Sequence, residues 1–185
     1  MDVNDTENPI TITELDIPKS MEIAILPLQN TTLFPDTVVP LAVGRERSMR
    51  AVEAALATEE KLLGCITTRS ENVTGDEAKF TDMYQVGTVV NIKRMMRNEG
   101  VMQLIVQGLE RFRVTEWKEE QPYIRATIEV LPELTRGDEE EIEALKRNIQ
   151  AMIQRALALL PQVPPEIRMA VMTQQDPVQI SYFMA

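Results

Sequence analysis

The chain has 185 residues and a mass of 21.0 kDa, which is enough to bury a core without disulfides or structural metals. Its 29 acidic and 19 basic residues give a net charge of −10, and only 4% of the residues are aromatic, so binding to phosphates or stacked bases is not expected. A single cysteine and the lack of a long apolar run oppose a secreted disulfide scaffold and a membrane span. We therefore expect a cytoplasmic protein with no nucleic-acid ligand and no membrane contact.

The first part of the chain changes from polar to apolar. Residues 1–20 are polar and acidic and are predicted to form a flexible acidic lead-in rather than a signal or transit peptide. The apolar run at 23–26 predicts a first buried strand, which Pro27 ends. In the loop that follows, Pro35 and Pro40 lack backbone donors and are predicted to cap strand ends.

A short helix and a second strand are predicted next. Residues 46–57 carry apolar side chains at helical spacing, which predicts a helix that packs on the sheet through Met49, Val52 and Leu56. Residues 61–67 are apolar and end in β-branched side chains, so they predict a strand. Cys65 lies inside this strand, where a buried small hydrophobe is favoured over a reactive thiol.

A long hairpin is the strongest pattern in the chain. Residues 86–92 and 102–106 have apolar side chains at every second position, the period of strands with one face in a core. Residues 97–100 tolerate positive φ and predict the chain reversal between them. Because Val89 is apolar on the opposite face, we expect a sheet covered on both sides or curled into a small barrel, with Gly108 at a bulge or corner.

The chain becomes helical after a last predicted strand at 123–130. Four acids at 138–141 suit a helix N-terminus, and an apolar stripe follows at helical spacing, formed by Ile142, Leu145, Ile149, Met152, Ile153, Ala156, Leu157 and Leu160. Prolines at 161, 164 and 165 end this helix, and Asp176 and Pro177 predict the N-cap and first residue of another. The sequence stops about eight residues into that helix, too short for an isolated helix, so we expect a fragment of a longer protein.

These elements predict an α+β fold in three parts. They are the lead-in at 1–20, a small β-barrel domain with a short packed helix at 21–134, and the start of an α-helical subdomain at 138–185 that is truncated at its C-terminal end.

No catalytic, cofactor-binding or metal-ligating residue is predicted. The sequence contains no histidine and one cysteine, which excludes Ser-His-Asp and Cys-His catalysis and leaves carboxylates as the metal ligands. None of the seven glycines precedes a lysine, so a Walker A loop is absent from the sequence. The acids at 138–141 point about 100° apart along a helix and do not converge on one ion.

Several short motifs occur in a characteristic order. They are I-L-P-L at 25–28, F-P at 34–35, V-P-L at 39–41, V-G-R-E-R-S at 43–48, V-G-T-V at 86–89 and V-Q-G-L-E-R at 106–111. In this order and spacing, the chain resembles the amino-terminal domain of Lon, the ATP-dependent serine protease, over residues 21–180.

The resemblance implies a fold, a function and a parent protein. The fold is a PUA-like barrel, named after pseudouridine synthase and archaeosine transglycosylase. The function is non-catalytic recognition of unfolded or damaged polypeptides through exposed apolar surface. The parent is a homohexamer whose ATPase and protease domains use ATP and Mg²⁺. A stand-alone adaptor of the same fold is the alternative, and an RNA-binding barrel is a third reading, which the negative charge opposes.

Two segments contain candidate substrate contacts. Eleven methionines is a high count, and flexible thioethers suit surfaces that accept many sequences. Core filling is the simpler interpretation for those in helical context, which are Met49, Met152, Met169 and Met172. Met95 and Met96 lie near the hairpin tip, where strand alternation turns at least one outward. Phe34 and Pro35 lie in the loop 31–39, which is a barrel plug or a contact surface. The predicted contacts are thus Phe34, Pro35, Met95 and Met96.

Overall fold

The computed structural model describes residues 17–70, 77–133, 137–159, 169 and 176–184. Its strands are β1 (Ser20–Leu28), β2 (Val38–Val43), β3 (Leu62–Thr67), β4 (Val86–Asn98), β5 (Val101–Glu119) and β6 (Ile124–Leu131). Its helices are α1 (Glu46–Leu56), α2 (Glu139–Leu159) and α3 (Pro177–Met184), and a 3₁₀ turn spans Phe80–Asp82. The fold is mixed α+β and mostly sheet, as predicted.

Five strands close into a barrel-like ring. β1 pairs with β3 in parallel, and the antiparallel pairs β3–β4, β4–β5, β5–β6 and β6–β1 complete the circle. β5 is 19 residues long and has β4 on one side; on its other side, residues 102–107 pair with β2 and residues 111–119 pair with β6. β2 is therefore an edge strand outside the ring, and it follows β6 along the same side of β5.

The predicted hairpin is confirmed, with a tighter turn than expected. β4 and β5 are joined by Glu99 and Gly100 alone, whose φ angles of 47° and 83° are those that a two-residue hairpin turn requires. The pairing register of β4 and β5 shifts next to Gly108, which confirms the predicted bulge. This bulge lies where β5 passes from β2 to β6.

Two clusters of buried side chains cover both faces of the strands. Inside the ring, all five ring strands contribute, and Phe112 is the largest fully buried side chain among the described residues. Outside it, Ala51, Val52 and Ala55 of α1 pack on the sheet, with Met49 and Leu56 at the margin. The helix predicted at 46–57 and its packing role are therefore confirmed.

Pro27 does not end β1, which corrects the prediction from sequence. β1 continues to Leu28, whose carbonyl oxygen accepts a hydrogen bond of 2.8 Å from the Thr68 amide on the β3 side. Successive residues of a strand direct their backbone groups to opposite sides, so the N–H that Pro27 lacks would point toward β6. Pairing with β6 stops at Ile25, so Pro27 removes no ladder hydrogen bond.

The strand β2 is missing from the sequence prediction, and Pro40 lies within it rather than at its end. Pro40 pairs with Ile105 of β5. An edge strand tolerates proline because one side of its backbone is not part of a ladder. The loop before β2 is accordingly shorter than expected and ends at Thr37.

Both C-terminal helices are present where predicted, although the stripe on α2 is only partly covered. The Asp176 carboxylate accepts a backbone hydrogen bond of 2.8 Å from the first turn of α3, so its N-cap role is confirmed. Ile153 of α2 packs against Ile180 of α3. Because α3 has 8 residues and covers α2 only around Ile153, Met152 remains 59% exposed, and Met169 is 67% exposed. The prediction that these two methionines fill a core is wrong.

Some predictions concern residues that the structure does not describe. Prolines 161, 164 and 165, Met172 and most of the lead-in at 1–20 lie outside the described residues. β6 ends at Leu131 and α2 begins at Glu139. The division into a lead-in, a unit at 21–134 and a unit at 138–185 stays a prediction.

Cys65 is expected to be unreactive in the folded protein. It is 2% exposed, and burial raises the pKa of its thiol to about 12 because the thiolate loses its hydration. We expect no reaction with dithiobis-nitrobenzoate near neutral pH, and reaction of one thiol per chain in concentrated guanidinium chloride. The folded state keeps this proton to a higher pH than the unfolded chain, so the stability contribution of Cys65 falls as pH rises above about 9. Rapid labelling of the native protein would contradict this placement.

Candidate functional site

The hairpin tip carries two exposed methionines, Met95 and Met96. β3 pairs with β4 only as far as Asn91, so the remainder of β4 extends beyond the ring with β5 as its partner. Met95 is 40% exposed and Met96 is 63% exposed. The sequence predicted at least one of them to face outward, and the structure exposes both. Arg97 lies 3.3 Å from the Glu53 carboxylate, an exposed ion pair between the tip and α1.

Met96 lines an apolar groove of about 460 Å³ that β2, β4 and β5 form together. Pro40 and Leu41 contribute from β2, Ile105 contributes from β5, and Arg94 is the charged residue of the lining. We call this the Met96 groove. Sequence reasoning missed it because β2 was not predicted; the V-P-L segment at 39–41 was the available signal.

Phe34 and Pro35 lie in a loop that is fixed onto β5. Gly108 donates a backbone hydrogen bond of 2.8 Å to the Thr37 carbonyl, and the Thr37 hydroxyl donates one of 2.6 Å to the Phe34 carbonyl. Pro35 is buried, and the half-buried Phe34 ring stacks on Tyr182 of α3 with a centroid separation of 5.4 Å. These contacts are those of a plug, and Pro35 is not accessible to a ligand in this arrangement.

Phe34 also lines a second groove, of about 620 Å³, which we call the Phe34 groove. Tyr84 lines it too and is 48% exposed, with the Arg69 guanidinium carbon 5.0 Å from its ring centroid. Phe34 and Met96 therefore line different grooves. The structure does not bring the four predicted contact residues into one site.

Acidic groups gather where α3 meets the Phe34 loop. The Gln179 amide donates a hydrogen bond of 3.1 Å to the Asp36 carboxylate, and the Tyr182 hydroxyl donates one to the Glu133 carboxylate. Desolvation, together with the Glu133 hydrogen bond, raises the pKa of Tyr182 to about 12. Desolvation also raises the pKa of Glu110, and the charges of Glu133 and Asp36 add to this effect. These bonds attach α3 to the loop.

The part of the chain that the structure describes offers neither a metal-binding cluster nor a membrane-spanning helix. No group of three or more His, Cys, Asp or Glu side chains is placed there to hold a metal ion. No helix among the described residues is long and apolar enough to cross a membrane.

Comparison with known protein families assigns this chain to one of them. Residues 22–185 match the family model of the ATP-dependent protease La (LON) substrate-binding domain. The chain belongs to the LON substrate-binding domain family. The resemblance that the motifs between residues 25 and 111 indicated is therefore confirmed, and the family description assigns substrate binding to this region.

The relatives of this LON substrate-binding domain include Lon proteases from several bacteria. The domain is 38% identical over 172 residues to Lon protease of Dictyoglomus thermophilum, a match that covers 92% of the chain and 21% of that protein. It is 40% identical over 146 residues to Lon protease of Nitrosococcus oceani, covering 79% of the chain and 18% of that protein. The chain thus spans about a fifth of the length of the curated relatives it matches.

Two solved structures share the fold. The N-terminal domain of Mycobacterium avium complex Lon protease superposes with a TM-score of 0.64 at 23% identity, covering 88% of this chain and 81% of that one. A Lon N-terminal domain protein from Xanthomonas campestris gives a TM-score of 0.50 at 18% identity, covering 89% and 96%. At these identities the likeness concerns the fold alone.

Proposed function

We propose that this LON substrate-binding domain binds unfolded or damaged polypeptides through the Met96 groove. The observation that carries the proposal is the exposure of Met95 and Met96, 40% and 63%, beside an apolar groove at the end of a hairpin. Adjacent exposed apolar side chains mark interaction surfaces, because leaving them in water is unfavourable.

The chemistry of the groove suits extended chains of varied sequence. Methionine is unbranched and polarizable, so Met96 in the lining adapts to side chains of different shape, and the exposed Met95 beside it in β4 offers a further adaptable contact outside the lining. A volume of about 460 Å³ is within the range of pockets that enclose small apolar groups. Arg94 is the one charge in the lining, and the chain as a whole carries −10, so polypeptides are favoured over nucleic acids.

Phe34 and Pro35 have different places in this proposal. Phe34 is a second point of contact, through the Phe34 groove that it lines with Tyr84. Pro35 is buried behind it and acts as support for the loop. The stacking of Phe34 on Tyr182 limits this contact to the part of the ring that faces the groove.

We further propose that the domain supplies substrates to a larger protease. The named relatives are Lon proteases about five times longer than the matched region, which supports further domains attached to this one. We assign the ATPase and serine-protease activities to those domains, within a cytoplasmic homohexamer. ATP and Mg²⁺ would act in those domains. A stand-alone adaptor of the same fold is the alternative, and the gene sequence beyond Ala185 separates the two.

Replacing Met96 by lysine is expected to weaken binding of an unfolded polypeptide about tenfold. Full burial of a methionine side chain contributes about 1.5–3 kcal/mol, and about 1.4 kcal/mol is a factor of ten in affinity. A lysine charge in the groove must also lose its hydration. Fluorescence anisotropy with a labelled, reduced and alkylated protein measures the Kd, and the folded form of that protein is expected not to bind.

Met152→Lys is the matched control for this experiment. Met152 lies on α2, outside the Met96 groove, and its exposure of 59% is close to the 63% of Met96. We expect the control to bind like the wild type. Equal losses in both variants, or no loss in either, would contradict the assignment of the groove.

A further inference from the structure

A third groove, of about 290 Å³, lies between β1 and β2 at the start of α1. Among the described strands, β1 pairs beyond Ile25 with β3 only and β2 pairs with β5 only, so both present an open edge toward the groove. Leu26 and Leu28 of β1 and Leu41 and Val43 of β2 form an apolar floor. The Met96 groove is lined by a different part of the sheet.

Hydrogen-bond donors without acceptors line this third groove. Ser48 is 6% exposed, and its hydroxyl bonds to none of the described residues. The Arg45 guanidinium donates from Nη2 to the Gln29 side-chain oxygen at 3.2 Å, whereas its buried Nη1 has no partner in the part of the chain that is described. A buried donor without an acceptor is unfavourable, so Arg45 Nη1 indicates an acceptor from outside the chain, and the unbonded Ser48 hydroxyl in the same lining is available to that acceptor.

The first turn of α1 adds positive potential at the same place. Arg45 is the N-cap residue of α1, and its side chain makes no capping hydrogen bond. The first N–H groups of a helix have no acceptor within the helix and carry the positive end of its dipole. Glu46, the acid of this turn, pairs with Arg50 on the exposed surface and is not part of the groove lining. An anion in the groove therefore has no neighbouring carboxylate from this turn.

We propose that this groove binds a carboxylate group of the polypeptide substrate, from a chain terminus or from an Asp or Glu side chain. The inference rests on the proposed function. A planar carboxylate accepts two bonds from a guanidinium and retains lone pairs for the Ser48 hydroxyl and the helix N–H groups. Arg45 is the one cation of the lining, which suits a single negative charge better than a phosphate dianion. The apolar floor contacts the side chain next to the carboxylate, which favours a peptide over a free anion.

Peptide pairs that differ only in a carboxylate test the proposal. One pair is an unfolded apolar peptide with a free C-terminal carboxylate and its C-terminal amide. The second pair is the amidated peptide with an internal Glu or Gln. In at least one of the two pairs, we expect the wild type to bind the peptide with the carboxylate about tenfold more tightly than the matching amide or Gln peptide. This preference should disappear in Arg45→Gln and decrease in Ser48→Ala.

Arg50→Gln is the matched control variant. Arg50 lies on the same helix, and its side chain is 50% exposed and outside the groove lining. The control is expected to keep the full preference for the carboxylate. Circular dichroism tests whether Arg45→Gln is folded. If it is not, Arg45→Lys takes its place, because lysine keeps the charge but lacks the planar guanidinium. This variant should lose part of the preference for the carboxylate.

Equal affinity for the carboxylate and neutral forms, or a preference that survives Arg45→Gln, would overturn the proposal. A wild type that binds neither peptide nor unfolded protein would instead contradict the proposed function. In that case, titration with sodium acetate tests the carboxylate site separately from peptide binding. The measurement is the NMR shift of the backbone amide resonances of Gly44 and Ser48. Saturable shifts that Arg45→Gln abolishes support a carboxylate site, and their absence overturns it.

Discussion

Replacing Phe112 by alanine will lower the free energy of unfolding by about 4 kcal/mol. Phe112 is 0% exposed and belongs to the cluster inside the ring. Two glycines make room for its ring, because a Cβ at Gly64 or Gly87 would lie 3.2 Å or 2.9 Å from its Cζ atom. Removing the ring leaves a cavity among hydrogen-bonded strands, which cannot close without distorting the strand pairing.

Chemical denaturation followed by circular dichroism measures this loss. Tyr84→Ala is a suitable control, since it also removes an aromatic ring, but one that is 48% exposed. We expect the control to cost about 1 kcal/mol or less. An equal loss of stability in both variants would mean that the five-stranded ring does not depend on the buried Phe112 side chain.

Gly108→Ala is expected to lower the free energy of unfolding by about 3 kcal/mol. A Cβ at this position would lie 2.1 Å from the Phe34 carbonyl oxygen, a backbone atom that cannot turn aside. The backbone is held on both sides, because Gly108 donates to the Thr37 carbonyl at 2.8 Å and accepts from the Asp36 amide at 3.1 Å. The loop must therefore move away from β5, and Phe34 loses its position against Tyr182.

Thermal denaturation and an ultraviolet titration of tyrosine measure the two consequences. The pKa of about 12 for Tyr182 should fall toward its ordinary value as α3 loses its contact with the loop. Gly44→Ala is the control, because a Cβ there would meet only Val101 Cγ2 at an ordinary 3.5 Å, and we expect a change within about 0.5 kcal/mol. Unchanged melting of Gly108→Ala would show that the loop is not held against β5.

Local patterns predicted most of the elements. The hairpin, α1, β3, β6 and the N-cap of α3 each express a periodicity or a capping residue within one short segment. The same reasoning failed at Pro27 and Pro40. Whether a proline interrupts a strand depends on which side of that strand carries a partner, and the partners β6 and β5 lie far along the chain.

The candidate site shows the same limit. Strand alternation near the tip was sufficient to predict that Met95 or Met96 faces outward. The stack of Phe34 on Tyr182 and the burial of Pro35 depend on the docking of α3, which no local pattern expresses. The core role predicted for Met152 failed for the related reason that α3 covers only one part of α2.

The sequence by itself determined the α+β class, the chain order of most elements and the family, because these depend on residue spacing along the chain. Only the tertiary structure decided which five strands close the predicted barrel, that β2 lies beside it, and that Arg45 and Ser48 share a groove with β1. The physical reason is that pairing partners and grooves join residues from distant segments. Their placement follows from packing of the whole chain, not from the pattern of any one segment.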